Sequence, residues 1–450
     1  MKQQLEVRPP CPSPAIAVPL AGAFVLVSIC AGLPLAGGCR SKPRPAVKTH
    51  ESLPLQTFAR QWATDLKSDK DPLRQLHVRA DSIYAYTAGG RVYSLARDSG
   101  SVEYTRPIKG GGTLLHAPVV INDKITFSIP RREIGIKAQQ QVARPGLKPT
   151  GPMPPEAPPR DEYVVTPVIF PTATTMEVLE QKTGRFITAA EMKFTIRGDA
   201  VGRAGMLYLG GAYKGGSRAA AVDVRQPYVP VRWELMTPEG PVSAAPALWE
   251  DAVYFASEGG NVYAVTAANR DPIWPLPGSV FKTGAGIFAD LAIDADSVYV
   301  ASTDNKLYAL NRNSGKIRWQ YFGGAALRTA PAVTSDTVYQ FVPGTGVVAI
   351  DKAAGEFIRK PRWVASDATQ FLAADERNAY LRTRDNRIVA QDKKTGERKF
   401  SSVHHDFTVF ATNLVKEDGI VYAGTKQGRV VAVRPVLKPG TVGEVVMVEQ

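Results

Sequence analysis

The stretch from Ser297 to Trp319, SVYVASTDNKLYALNRNSGKIRW, returns along the chain at a nearly fixed spacing. That period constrains the fold more than any other feature. Ser297–Ala301 and Lys306–Leu310 read as short strands, Asp304-Asn305 and Asn311–Gly315 as turns, and Lys316–Trp319 as a last strand ending on a large aromatic. Short β-branched runs punctuated by Asn, Asp and Gly mark antiparallel hairpins. Related text runs from Asp251 to Val265 and on to Trp274, and from Asp81 to Leu95 and on to Tyr104. Aligning the residue after each recurring strand gives Ala96, Glu180, Asp223, Thr266, Asn311, Asp351, Asp392 and Arg434. The successive gaps are 84, 43, 43, 45, 40, 41 and 42 residues. Only the first departs, and it holds an insertion. A period near 42 with several strands per unit predicts an all-β fold, a single eight-bladed β-propeller of four-stranded antiparallel blades.

A chain of 450 residues would ordinarily divide into two or three domains. The repeat overrides that prior, because blades stacked in a ring share one closed core. The formal charge of +13 suits an anionic partner such as a membrane surface or an acidic protein. Lys and Arg are spread over the blades rather than gathered in one run, which argues against nucleic acid. All three cysteines, Cys11, Cys30 and Cys39, precede the repeats, so the propeller holds no internal disulfide. The five histidines, His50, His77, His116, His404 and His405, show no metal-ligand spacing. Asp290 and Asp294 fall at strand starts and turns, where capping is the default role. No catalytic, cofactor-binding or metal-binding residue stands out.

The N-terminus has the layout of an export signal. Lys2 and Arg8 precede a mostly apolar run from Ala15 to Leu35, then Ala36-Gly37-Gly38 and Cys39. The Leu35–Cys39 ending resembles a bacterial lipobox, in which the cysteine becomes the lipidated first residue. It departs in having Ala36 three places before the cysteine. The expected organisation is an export signal over 1–38, a lipidated tether over 39–57, the propeller over 58–435 and a tail over 436–450. Arg40 rather than Asp after the cysteine implies, by that resemblance, the outer membrane and its periplasmic face. A multiply acylated N-terminus anchors where a single chain would not.

Phe58–Leu66 matches a blade's last strand but has no earlier strands before it, whereas the C-terminal repeat has three strands and no fourth. The N-terminal strand should therefore complete the C-terminal blade, closing the ring and removing two exposed edges. Blade two is the exception. Lys124–Ile129 reads as its second strand, followed by a proline-rich basic loop over 130–162, which would then project from the face carrying the blade-to-blade connections. Such a segment cannot enter a sheet. Arg131, Arg132, Lys137, Arg144, Lys148 and Arg160 make it a candidate partner-contact loop. The recurring tyrosines and Trp62, Trp274 and Trp319 read as packing between blades.

The units Tyr308–Trp319, Val348–Gly355 and Val389–Gly396 resemble the repeat of PQQ-like (quinoprotein-type) propellers. The shared pattern is an apolar Tyr/Val-Ala-Leu strand, an Asp or Asn, a turn ending in Thr/Ser-Gly, and a strand ending in Trp. The resemblance covers about residues 58–435. Two branches of that family are open. The BamB-type branch implies a non-enzymatic outer-membrane lipoprotein that binds a protein partner, the central barrel-assembly protein, and assists β-barrel assembly. The export signal, Cys39 and the single propeller agree with it, and no cofactor is then expected. The alternative is a periplasmic dehydrogenase binding PQQ and calcium at the axis, which needs oxygen ligands for a hard cation and a carboxylate base. That branch is also marked by adjacent cysteines, which this chain lacks. A periplasmic propeller with another partner is the third reading.

Overall fold

Each repeat folds into one antiparallel sheet, and the letters of the repeat explain why. The computed structural model describes residues 57–66, 71–108, 116–130, 160–213, 216–226, 229–275, 279–353, 355–404 and 406–436. All fall within the unit Ser52–Gln450. The expectations for Cys39, the export signal, the tether and the tail beyond Val436 lie outside the described residues, as do Arg131, Arg132, Lys137, Arg144 and Lys148. Eight sheets of four or five strands form, plus one two-stranded hairpin, with no α-helix among the described residues. Blade one, for example, runs Leu73–Arg79, Ser82–Thr87, Arg91–Ala96 and Val102–Pro107 in adjacent order.

The middle strands are buried on both faces, since neighbouring blades cover both. A row of side chains crosses each blade. Tyr299 of the second strand lies opposite Ala309 of the third, which lies opposite Trp319 of the fourth. Tyr339–Ala349–Trp363 and Tyr422–Ala432–Trp62 repeat it. The small residue leaves room for the two flanking rings, whose centroids stand 5.9 Å apart for Tyr299–Trp319 and 5.8 Å for Tyr339–Trp363. Cross-strand packing of this kind is the unit of sheet stabilisation.

The ring then reaches its neighbour. The indole N–H of Trp62 donates to the carbonyl of Arg97, Trp233 to Ala267, Trp274 to Arg312 and Trp363 to Lys393, at 2.8–3.0 Å. Each acceptor lies in the turn after the third strand of the following blade. The turn is built by its own side chains: the Asp392 carboxylate accepts from the Lys394 and Thr395 amides, and Asn311 does the same for Asn313 and Ser314. Such Asx turns explain the Asp/Asn-x-x-Thr/Ser-Gly text. Among the described residues the hydrophobic core divides into eight clusters, one at each junction between consecutive blades, including blade eight with blade one.

Closure follows the expected route. Thr57–Asp65 pairs antiparallel with Arg429–Val436 and forms the outer strand of blade eight. The insertion differs from expectation. Ile125–Pro130 pairs with Arg160–Val165 in a separate hairpin, and the second strand of blade two is Pro167–Pro171. The inserted segment therefore interrupts blade two between its first and second strands. Its root lies at the end of the blade opposite the blade-to-blade connections. Lys124–Ile129 is a strand, as its alternation indicates, but its ladder partners come from the far side of the insertion. Ile125, Phe127 and Val165 bury against the core between blades two and three, which anchors the hairpin.

Buried Lys393 joins three blades, lying 3.0 Å from Asp336 and 3.1 Å from Glu417. Burial opposes the ionisation of Asp336, but Lys393 and Arg362 overcome it and hold its pKa below the ordinary 3.8. A depressed carboxylate stabilises the fold above its unfolded pKa and loses that contribution as pH falls through the folded one. Both carboxylates are partly exposed, so Lys393→Met is expected to cost only about 1–2 kcal/mol at pH 7. The gap between variant and parent in urea unfolding should narrow below about pH 4.

Candidate partner-binding surface

In an antiparallel blade the start of the first and third strands and the end of the second and fourth share one face. On blade five that face gathers the connector before Ala292, the turn Asp304-Asn305, Lys306 and Phe322. The connector is pinned rather than free. The Thr303 amide and hydroxyl both donate to the Gly286 carbonyl, at 3.0 and 2.9 Å, and the Gly284 amide donates to Asp304 at 2.8 Å. The next connector is pinned in the same way, with the Gly323 amide on the Asn305 carbonyl and the Leu327 amide on the Ser302 carbonyl.

Each connector places one residue inward and the next outward. Ile287 and Leu327 are wholly buried and occupy equivalent places in successive blades. The following residues, Phe288 and Arg328, face solvent. Phe288 is 37% exposed, with the Arg328 guanidinium 4.6 Å from its ring centre. Phe322 is 48% exposed, with the Lys306 ammonium 5.2 Å from its ring. Neither cation is in an ion pair among the described residues. Two exposed aromatic rings, each beside an unneutralised cation and held on a rigid frame, have the composition of a protein-binding hot spot. The sequence reading did not single out these four residues. The available signal was a large residue at the outward connector position of adjacent repeats.

Of the six candidate contact residues of the sequence-predicted loop, only Arg160 lies on described backbone, as the first residue of the second hairpin arm. The hairpin root and the Phe288 surface sit at opposite ends of the blades, so the structure does not bring them together.

Toward the propeller axis, the innermost strand of blade one carries His77 and Arg79, and the segments beside the first strands of blades two, three and five carry His116, Asp199 and Asp290. Asp199 accepts the Ala117 amide at 2.9 Å and stands 3.4 Å from His116; burial works against its charge, but these two partners hold its pKa below the usual range. Asp290 accepts the Ala245 amide, yet burial dominates and pushes its pKa up. Burial, with help from Arg79, lowers His77 to about 4. These carboxylates tie blade to blade through backbone amides. Among the described residues no group of three or more His, Cys, Asp or Glu could hold a metal ion.

The family model described as outer membrane protein assembly factor BamB matches residues 212–366 and 324–436. The crystal structure of BamB from Moraxella catarrhalis superposes with a TM-score of 0.58 at 14% identity, covering 86% of this chain and 100% of that one. The computationally designed Ika8 protein gives 0.55 at 14% identity, covering 84% of this chain and 99% of that one. No curated protein matches. By repeat, blade architecture and family match together, the chain belongs to the PQQ-like β-propeller family of outer membrane protein assembly factor BamB.

Proposed function

We propose that this protein is a non-enzymatic scaffold of β-barrel assembly, lipid-anchored through Cys39 in the outer membrane and facing the periplasm. In this reading it binds the central barrel-assembly protein without a cofactor. Family membership supports the role. The observation that carries the binding site is the pair of exposed rings, Phe288 and Phe322, each beside a cation on blade five. Aromatic and arginine anchors on a rigid frame contribute most of the energy at protein interfaces.

The test is capture from detergent-solubilised envelopes, with the chain expressed behind its own signal and the eluate read by mass spectrometry. The barrel-assembly protein should co-purify. Phe288→Ala combined with Phe322→Ala should lower its recovery at least about tenfold, since two hot spots together exceed 1.4 kcal/mol. Cys39→Ala should lower recovery by releasing the anchor. Undiminished capture by a folded double variant would refute the surface, and a clean eluate from the parent chain would refute the scaffold.

A further inference from the structure

The axis is divided into two unlike halves. Around blades two to five the carboxylate-to-amide ties described above join neighbouring blades. Around blades six, seven, eight and one the axis opens into a cavity of about 630 Å³. Among the described residues its walls are mainly apolar, with Ala332, Phe341, Phe371, Leu414 and Val415, and Arg79 is the one charged residue that lines it. The polar groups of blades seven and eight satisfy one another: the Thr412 hydroxyl donates to the Phe371 carbonyl, and the Gln370 amide reaches Thr412. Arg79 is different. Its guanidinium donates only to the backbone carbonyls of Pro118 and Val78, and it forms no ion pair among the described residues. Leu414 and Val415, at 48% and 41% exposure, line the opening and leave it accessible.

We infer that this axial cavity is a binding site for a small apolar carboxylate, whose body lies against Phe371, Leu414 and Val415 and whose carboxylate meets Arg79. A cavity of this size, apolar with a single directing charge, is the ordinary form of a small-molecule site. A guanidinium with unused donors gives a carboxylate charge-assisted, planar bonds that an alcohol cannot match. The charge disfavours a cationic ligand. The site lies on the axis, and none of Phe288, Arg328, Lys306 and Phe322 is among its lining residues.

Calorimetric titration of the full chain with 3-phenylpropionate tests it, with 3-phenylpropanol as the uncharged counterpart and detergent blanks subtracted. The acid should bind at least about tenfold more tightly than the alcohol, the ratio expected for a charge-assisted bond. Arg79→Met should weaken the acid to the level of the alcohol. Val415→Trp, at the exposed opening, should weaken both ligands severalfold by narrowing the cavity, and it leaves Arg79 and the Pro118 contact in place. Equal affinities for acid and alcohol, an unchanged acid affinity in folded Arg79→Met, insensitivity to Val415→Trp, or no heat from either ligand would each overturn the inference.

Discussion

Deletion of residues 57–66 is expected to abolish the cooperative fold, although it removes only ten of 450 residues. The strand Thr57–Asp65 supplies the outer edge of blade eight, and several of its contacts cross to other blades. Phe58 packs edge-on to Phe400 of blade seven, with ring centres 5.0 Å apart. Trp62 donates to the Arg97 carbonyl of blade one, and the Thr64 hydroxyl donates to the Gly100 carbonyl at 2.6 Å. Leu66, 4% exposed, sits in the core between blades eight and one. The ladder joins eight residue pairs, and net bonds at about 1 kcal/mol each, with three large apolar side chains at about 2 kcal/mol each, sum to more than about 10 kcal/mol before the entropy of ordering the strand is subtracted. That is the size of a whole domain's stability. Urea unfolding followed by tryptophan fluorescence should show no cooperative transition in the deleted chain. Trp62→Ala alone should retain the transition, destabilised by about 2–3 kcal/mol, because the indole is only partly buried. A deleted chain that unfolds cooperatively at the parent's midpoint would show that blade eight closes without this strand.

Much of this architecture is written in the repeat because each recurring letter has a physical task. Tyr-Ala-Trp is a row across a blade, Asp or Asn builds a turn, and glycine admits the neighbouring ring. Ring closure was legible for the same reason, since Trp62 belongs to a row whose other members, Tyr422 and Ala432, lie at the far end of the chain. The insertion was legible as an interruption but misplaced within its blade. Lys124–Ile129 alternates like any second strand, and only its pairing with Arg160–Val165 separates it from the sheet. The Phe288 surface was not singled out: its position recurs from Ile287-Phe288 to Leu327-Arg328, but the hydrogen bonds of Ser302 and Thr303 decide which side chain turns inward. The axial cavity was hidden as well. Its walls come from four blades, and no local pattern announces that Arg79 faces it.

Gly396→Ala should cost about 3–5 kcal/mol, whereas Gly344→Ala should cost about 1–2 kcal/mol, although the two glycines share a backbone conformation. Gly396 has φ +73° and Gly344 φ +79°, both in the left-handed region where a Cβ costs about 1–2 kcal/mol. They differ in what that Cβ would meet. At Gly344 nothing lies within 4 Å, while at Gly396 the Cβ would overlap the Cβ and Cγ of Trp363. Those atoms sit at the root of the side chain, so the indole cannot swing aside without leaving its place. Displacing it breaks the 2.9 Å bond from the Trp363 N–H to the Lys393 carbonyl, worth about 1–3 kcal/mol when buried and unreplaced. It also disturbs the packing of Trp363 against Tyr339. The cost therefore falls on the joint between blades six and seven rather than on one turn. Paired chemical denaturation of the two variants reads the difference directly. Equal losses would mean that the tryptophan-to-turn contact contributes little to holding the blades together. A gap of about 2 kcal/mol or more would mean that the ring is held at its junctions as well as within its sheets, with Gly100 beneath Trp62 carrying the same constraint where the chain closes.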